Sequence, residues 1–125
     1  MRTILIMEDD PHQSRLMERL LDRAGYRVLI EHSGEEGLQT AMTAEPDLIL
    51  LDMGLPDLDG QTVAGLLKGS EVLSGIPVVV VTAWPEDTAA AIARAYGCDG
   101  YISKPIPARK FAEQVATYFK PEPAE

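Results

Sequence analysis

Leu48-Ile49-Leu50-Leu51 is an unbroken run of four apolar residues that ends in a charge, Asp52. A strand with one solvated face would alternate apolar and polar. A short run without alternation reads instead as a strand buried on both faces, the pattern of a parallel sheet covered by helices. Four further runs repeat the signal: Ile4-Leu5-Ile6-Met7, Val28-Leu29-Ile30, Val78-Val79-Val80-Val81 and Tyr101-Ile102. Between and after them lie segments with helical spacing: Leu16, Met17, Leu20, Leu21 and Ala24; Leu38, Ala41 and Met42; Val63, Leu66 and Leu67; Ala89, Ile92 and Tyr96; and Phe111, Val115 and Phe119.

Local signals agree with that alternation. Asp10 precedes Pro11 as a helix N-cap, Ser33 and Glu36 have the spacing of a capping box, and Pro85 and Pro107 suit first helical positions. Gly25 and Gly97 fall where helices should stop. The order is βαβαβαβαβα, which implies an α/β fold with right-handed crossovers and a doubly wound, five-stranded parallel sheet, (βα)5.

The chain has 125 residues, enough for one domain at roughly 150 residues per domain. A net charge of -9 resides almost wholly in the first sixty residues, which hold 13 acids and 5 bases. No clustered Lys/Arg face is visible, so direct nucleic-acid binding and attraction to anionic membranes are disfavoured. Cys98 stands alone and fits a reducing compartment. The apolar run at the N-terminus stops after four residues, too short for a signal peptide or a span, so a cytoplasmic location is expected. The domain is expected over residues 1–119, with 120–125 a tail or linker stub.

In an open α/β sheet, ligands bind beyond the carboxyl ends of the strands. The residues there are Glu8 and Asp9 after the first run, Asp52 after the third, Thr82 after the fourth and Lys104 after the fifth. Any one of them alone is an ordinary loop charge, cap or surface lysine; their convergence on one edge is not ordinary. Three neighbouring carboxylates repel in a partly desolvated cleft and ask for a cation. Mg²⁺, a hard ion that takes one or two carboxylates plus a phosphoryl oxygen, suits them. With Lys104 the charges then sum to zero, and an added phosphoryl group would draw the ion, Lys104 and the Thr82 hydroxyl onto its oxygens. Asp52, central in the set, is placed as nucleophile. Asp10 stays a helix cap.

These stretches, Ile4-Leu-Ile-Met-Glu8-Asp9-Asp10-Pro11, Asp47-Leu-Ile-Leu-Leu-Asp52-Met-Gly-Leu-Pro56-Asp-Leu-Asp-Gly60, Pro77-Val-Val-Val-Val-Thr82-Ala83 and Gly100-Tyr101-Ile-Ser-Lys104-Pro105, resemble the receiver (CheY-like) domain of two-component response regulators. The resemblance runs from about Arg2 to Phe119. It implies a flavodoxin-like sheet in the order 2-1-3-4-5 and a Mg²⁺ site made by Glu8, Asp9, Asp52 and the backbone carbonyl of Gly54. It implies Asp52 as phosphoacceptor, Lys104 as phosphoryl-binding lysine before a Pro105 that is usually cis, and Thr82 with Tyr101 as the switch pair. The implied partners are a sensor histidine kinase or a histidine phosphotransfer protein that donates from phosphohistidine, and a downstream target.

Gly54 and Trp84 depart from the residues many relatives carry, and both flank the acceptor. A phosphoryl group shielded by Trp84 and lacking a water-orienting side chain at position 54 is expected to be long-lived. His12 and His32 read as surface polar residues, Cys98 as a small buried one, and Met7, Met17 and Met42 as core filling. The small-sided helix after Pro85 reads either as plain helix propensity or as a smooth partner surface.

Three rivals remain at this point. A Mg²⁺-dependent aspartyl-phosphate phosphatase or phosphotransferase would need a substrate pocket and a cap insertion, for which ten short elements leave little room. A nucleotide- or flavin-binding module would want a Gly-rich loop where Glu8-Asp9-Asp10-Pro11 stands. A receiver excised from a hybrid histidine kinase would look the same.

Overall fold

The computed structural model describes residues 1–121. Its elements run β1 (Thr3–Met7), α1 (Pro11–Arg23), β2 (Arg27–Glu31), α2 (Gly34–Ala44), β3 (Leu48–Asp52), α3 (Gly60–Gly69), β4 (Val78–Thr82), α4 (Glu86–Ala95), β5 (Gly100–Ser103) and α5 (Phe111–Ala116). The strands form one sheet in the order β2-β1-β3-β4-β5, with every pairing parallel. The expected fold and strand order are those observed.

Continuous apolar runs are required because the pleat sends alternate residues into two cores. Leu5, Met7, Ile49, Leu51, Val78 and Val80 pack with Ala41 of α2 and with Val63, Ala64 and Leu67 of α3. Ile4, Ile6, Leu48, Leu50, Val79 and Val81 face the other way, onto Met17 and Leu21 of α1 and Phe111 and Val115 of α5. Each fully buried aliphatic side chain stabilises by roughly 1.5–3 kcal/mol. Six such residues on each face of the three central strands hold β1, β3 and β4 rigid up to the edge where the charged residues begin.

The helix starts follow the expected chemistry in part. Asp10 accepts from the His12 N–H at 2.9 Å, and Ser33 Oγ accepts from the Glu36 N–H at 3.2 Å. Pro85 is the residue before α4 rather than its first, and Pro107 opens a turn ahead of α5, whose carbonyl accepts from the Lys110 and Phe111 amides. Gly25 and Gly97 adopt φ of +96° and +75°, the left-handed stops expected after α1 and α4. Helix α2 stops without glycine, on Glu45 at φ 45°.

Three apolar assignments require correction. Met42 is 52% exposed and Leu66 51%, and Tyr96 also faces solvent. The α2 face that meets the sheet is made by Gly37 and Ala41, where a β-carbon added to Gly37 would stand 2.3 Å from Met7 Cε. The buried stripe of α2 is Gly34, Gly37 and Ala41, and Met42 falls outside it. On α3, Val63, Ala64 and Leu67 fill the buried stripe and Leu66 falls outside it. Of the expected tail, residues 122–125 lie outside the described residues.

Candidate functional site

Glu8 and Asp9 leave the end of β1, Asp52 closes β3, Thr82 closes β4, and Lys104 follows β5. Because β1, β3, β4 and β5 are parallel and in register, these ends fall on one edge. Glu8, Asp9 and Asp52 each offer a carboxylate oxygen within 4.8 Å of the other two. Lys104 Nζ donates to Glu8 Oε1 at 2.8 Å and to Asp52 Oδ1 at 3.4 Å. Backbone pairing sets that reach, since the Lys104 N–H donates to the Thr82 carbonyl at 2.8 Å. The Lys104-Pro105 peptide bond is cis, as the resemblance implied.

Glu8 is only 1% exposed, and burial pushes its carboxyl up to about 7, with the neighbouring Asp52 adding to the rise and Lys104 opposing it. For Lys104, burial alone would lower the ammonium. The hydrogen bond it donates to Glu8 and the attraction of Asp52 and Glu8 outweigh it, and the net shift is upward. One cation therefore faces three carboxylates, and the deficit of positive charge is carried by the buried member of the set. Three oxygen donors of this kind, one exposed, one half-buried and one buried, fit a hard divalent cation.

Thr82 is buried, and its Oγ1 accepts from the Trp84 N–H at 3.1 Å. Gly54 is exposed on the loop after Asp52, and the nearest neighbour of a β-carbon added there would be Asp52 Oδ2 at 3.8 Å. Glycine is thus not forced on this position by space. Tyr101 lies inside β5 opposite Val80 and packs against the core on the α2–α3 side, so it does not join the cluster at the edge. His12 is exposed, as expected, and Cys98 is half-buried.

Two contacts at this edge escaped the sequence reading. His32 is exposed, yet its Nδ1 lies 2.9 Å from the Glu8 carbonyl oxygen. Asp57, on the loop after Asp52, accepts from the Gly34 and Glu35 amides at 2.7 and 3.0 Å. Both link residues more than twenty positions apart, beyond any local pattern.

An acid cluster with one buried member, a lysine bridging two of its members, and a parallel sheet that presents them at its carboxyl edge are the features of a doubly wound module of the response-regulator type. The family model for the response regulator receiver domain matches residues 4–116. The chain belongs to that family. Among curated proteins it is 38% identical over 117 residues to the polar-differentiation response regulator DivK of Brucella ovis, covering 94% of this chain and 95% of the relative. Among solved structures, the signal receiver domain of a signal transduction histidine kinase from Syntrophus aciditrophicus is 30% identical, with a TM-score of 0.85 and coverage of 94% and 89%. The BeF3-activated N-terminal receiver domain of Klebsiella pneumoniae RstA is 28% identical, with a TM-score of 0.84 and coverage of 93% and 97%. The protein is therefore a receiver domain of two-component signalling. Among the described residues, no helix is long and apolar enough to cross a membrane.

Proposed function

We infer that Asp52 is the phosphoacceptor of this receiver and that residues 1–119 act as one unit. The observation that carries the reading is Lys104 Nζ, held at once to Glu8 Oε1 and Asp52 Oδ1. That ammonium is placed where negative charge would rise on a phosphoryl group attached to Asp52. A carboxylate oxygen of Asp52 attacks phosphorus, the P–N bond to the donor imidazole breaks, and the nitrogen keeps the electron pair. The product is an acyl phosphate on Asp52. Mg²⁺, when bound by Glu8, Asp9, Asp52 and the Gly54 carbonyl, would supply the positive charge this site lacks.

Thr82 then has a use for its hydroxyl hydrogen. Its oxygen already accepts from Trp84, which leaves the O–H to donate to a phosphoryl oxygen. Movement of Thr82 would open space for Tyr101 to turn, shifting the surface a downstream target reads. The donors that suit this chemistry are a sensor histidine kinase or a histidine phosphotransfer protein in the cytoplasm. The RstA receiver, described in a BeF3-activated form, supports use of a phosphoryl mimic here.

The test is incubation with a small phosphoryl donor and Mg²⁺, read by intact mass. One phosphate is expected on the wild type and none on Asp52→Asn. Equal uptake by Asp52→Asn would overturn the assignment.

A further inference from the structure

The β2–α2 loop and the first residues of α2, His32 to Glu35, touch both the loop that carries Glu8 and Asp9 and the loop that follows Asp52. At one end, the His32 ring meets the Glu8 carbonyl, Nδ1 to oxygen, at 2.9 Å. A carbonyl only accepts, so Nδ1 carries the proton and the ring is a donor there. At the other end, two residues on, the Gly34 and Glu35 amides donate to Asp57 Oδ1 and Oδ2. The same place is tightly packed: a β-carbon on Gly34 would lie 3.1 Å from both Leu58 Cβ and Val63 Cγ2.

Glu8 shows what the first tether does. Its N–H donates to the Glu31 carbonyl, its Oε1 accepts from Lys104 and its Oε2 accepts from the Asp10 N–H at 3.3 Å. His32 takes the one polar atom left. The Glu8 carbonyl belongs to the peptide plane that leads into Asp9, so fixing that oxygen fixes where the Asp9 N and Cα lie and narrows the positions open to its side chain. The second tether holds the loop beyond Asp52 against the start of α2.

We propose that the β2–α2 loop is a brace that sets the spacing of the acid cluster, with His32 and Asp57 as positioning residues at its two ends. Neither contacts the cation or the phosphoryl group; each acts on the backbone that aims the ligands, as outer-shell partners of metal sites do. This rests on the reading that Glu8, Asp9 and Asp52 hold a divalent cation. The two tethers act in series along one path: cutting either one interrupts the link between the β1–α1 and β3–α3 loops that runs through the start of α2, and cutting both interrupts nothing more of it.

The experiment is calorimetric titration of Mg²⁺ into the metal-free full chain at fixed pH, for wild type, Asp9→Ala, His32→Ala, His32→Asn, Asp57→Ala and His32→Ala/Asp57→Ala. The Nδ2 of asparagine falls close to the place of histidine Nδ1 and can donate the same bond. We expect His32→Ala and Asp57→Ala each to weaken binding on the order of tenfold, and His32→Asn to restore it. The double variant should stay near that same tenfold loss rather than the roughly hundredfold loss of independent sites. In metal-free protein, His32→Ala should speed hydrogen exchange at the Glu8 amide and His32→Asn should not. Should His32→Ala fail to fold, His32→Leu, bulky but unable to donate, replaces it with the same expectation. Unchanged affinity in the single variants, no rescue by asparagine, or multiplicative losses in the double variant would each overturn the brace. Failure of the wild type to bind, or full binding by Asp9→Ala, would instead overturn the metal site itself.

Discussion

Replacing Glu8 by glutamine should make the metal-free protein more stable at neutral pH while weakening its hold on a divalent cation. Glu8 is buried, and its carboxyl is pushed from 4.5 up to about 7, so the folded state resists its ionisation. At about 1.36 kcal/mol per unit, that resistance amounts to roughly 3 kcal/mol when the group is fully charged. Glutamine keeps the shape and removes the charge, and the Lys104 contact is already counted in the net shift. A gain of about 3 kcal/mol is therefore the expected upper bound. The pH dependence follows from the direction of the shift. A carboxyl with a raised folded-state pKa contributes stability that is fully present below about 4.5 and is lost as pH rises through about 7. Wild type and Glu8→Gln should therefore unfold alike at pH 4 and separate between pH 4.5 and 7, the variant on top. Urea unfolding across that range, with and without millimolar Mg²⁺, measures it. Mg²⁺ should close the gap by stabilising the wild type alone. A variant no more stable than wild type at pH 7.5, or a gap independent of pH, would refute the reasoning.

Other outcomes follow from single contacts. Gly60→Ala would put a β-carbon 2.6 Å from the Met53 Cα, a backbone atom that cannot rotate away, so α3 must shift and urea unfolding should register a loss of about 1–3 kcal/mol. The Cys98 thiol, pushed up to about 11 by burial, should react with iodoacetamide at pH 8 about tenfold more slowly in native protein than in the unfolded chain; equal rates would contradict its burial. Trp84, the only tryptophan, bonds through its N–H to Thr82 Oγ1. Its emission should therefore change when beryllofluoride and Mg²⁺ bind, and the change should shrink in Thr82→Ala. Replacing Trp84 with alanine should shorten the phosphoryl lifetime, and unchanged decay of the phosphorylated species would remove the shielding role.

What could be read before any coordinates were known is what depends on composition at neighbouring positions. The three central runs had to be strands covered on both sides, because no other arrangement hides four consecutive apolar residues three times over. The strand ends then placed Glu8, Asp9, Asp52, Thr82 and Lys104 on one edge. What escaped depends on distance between elements. Leu38, Ala41 and Met42 share helical spacing, and only the packing of the Gly34, Gly37 and Ala41 stripe on the sheet shows that Met42 lies outside it. Tyr101 is distinguishable from the edge residues only through the register that sets it opposite Val80. His32 and Asp57 look like ordinary loop residues until the fold brings them to Glu8 and Gly34. A hydrogen bond between loops more than twenty residues apart leaves no periodicity to find.

The charge arrangement also explains why such a site can switch. Lys104 occupies Glu8 Oε1 and Asp52 Oδ1, one oxygen on each of two carboxylates that would hold the cation under the proposed function. Lys104 thus bridges two of the three carboxylates, whose mutual repulsion burial of Glu8 enlarges. Anything that brings positive charge to the carboxylates relieves the repulsion and frees Lys104. A phosphoryl group on Asp52 then gives that freed ammonium a new and more negative partner. The energy released by those two exchanges is differential between states, which is the only kind that moves a two-state equilibrium. Because Lys104 is joined to Thr82 through the Lys104 N–H and the Thr82 carbonyl, re-aiming the lysine and drawing in the threonine act on one short stretch of backbone. Lys104→Met should therefore leave Mg²⁺ bound at least as tightly as wild type while reducing the tryptophan response to beryllofluoride. A response of full size in that variant would place the coupling elsewhere.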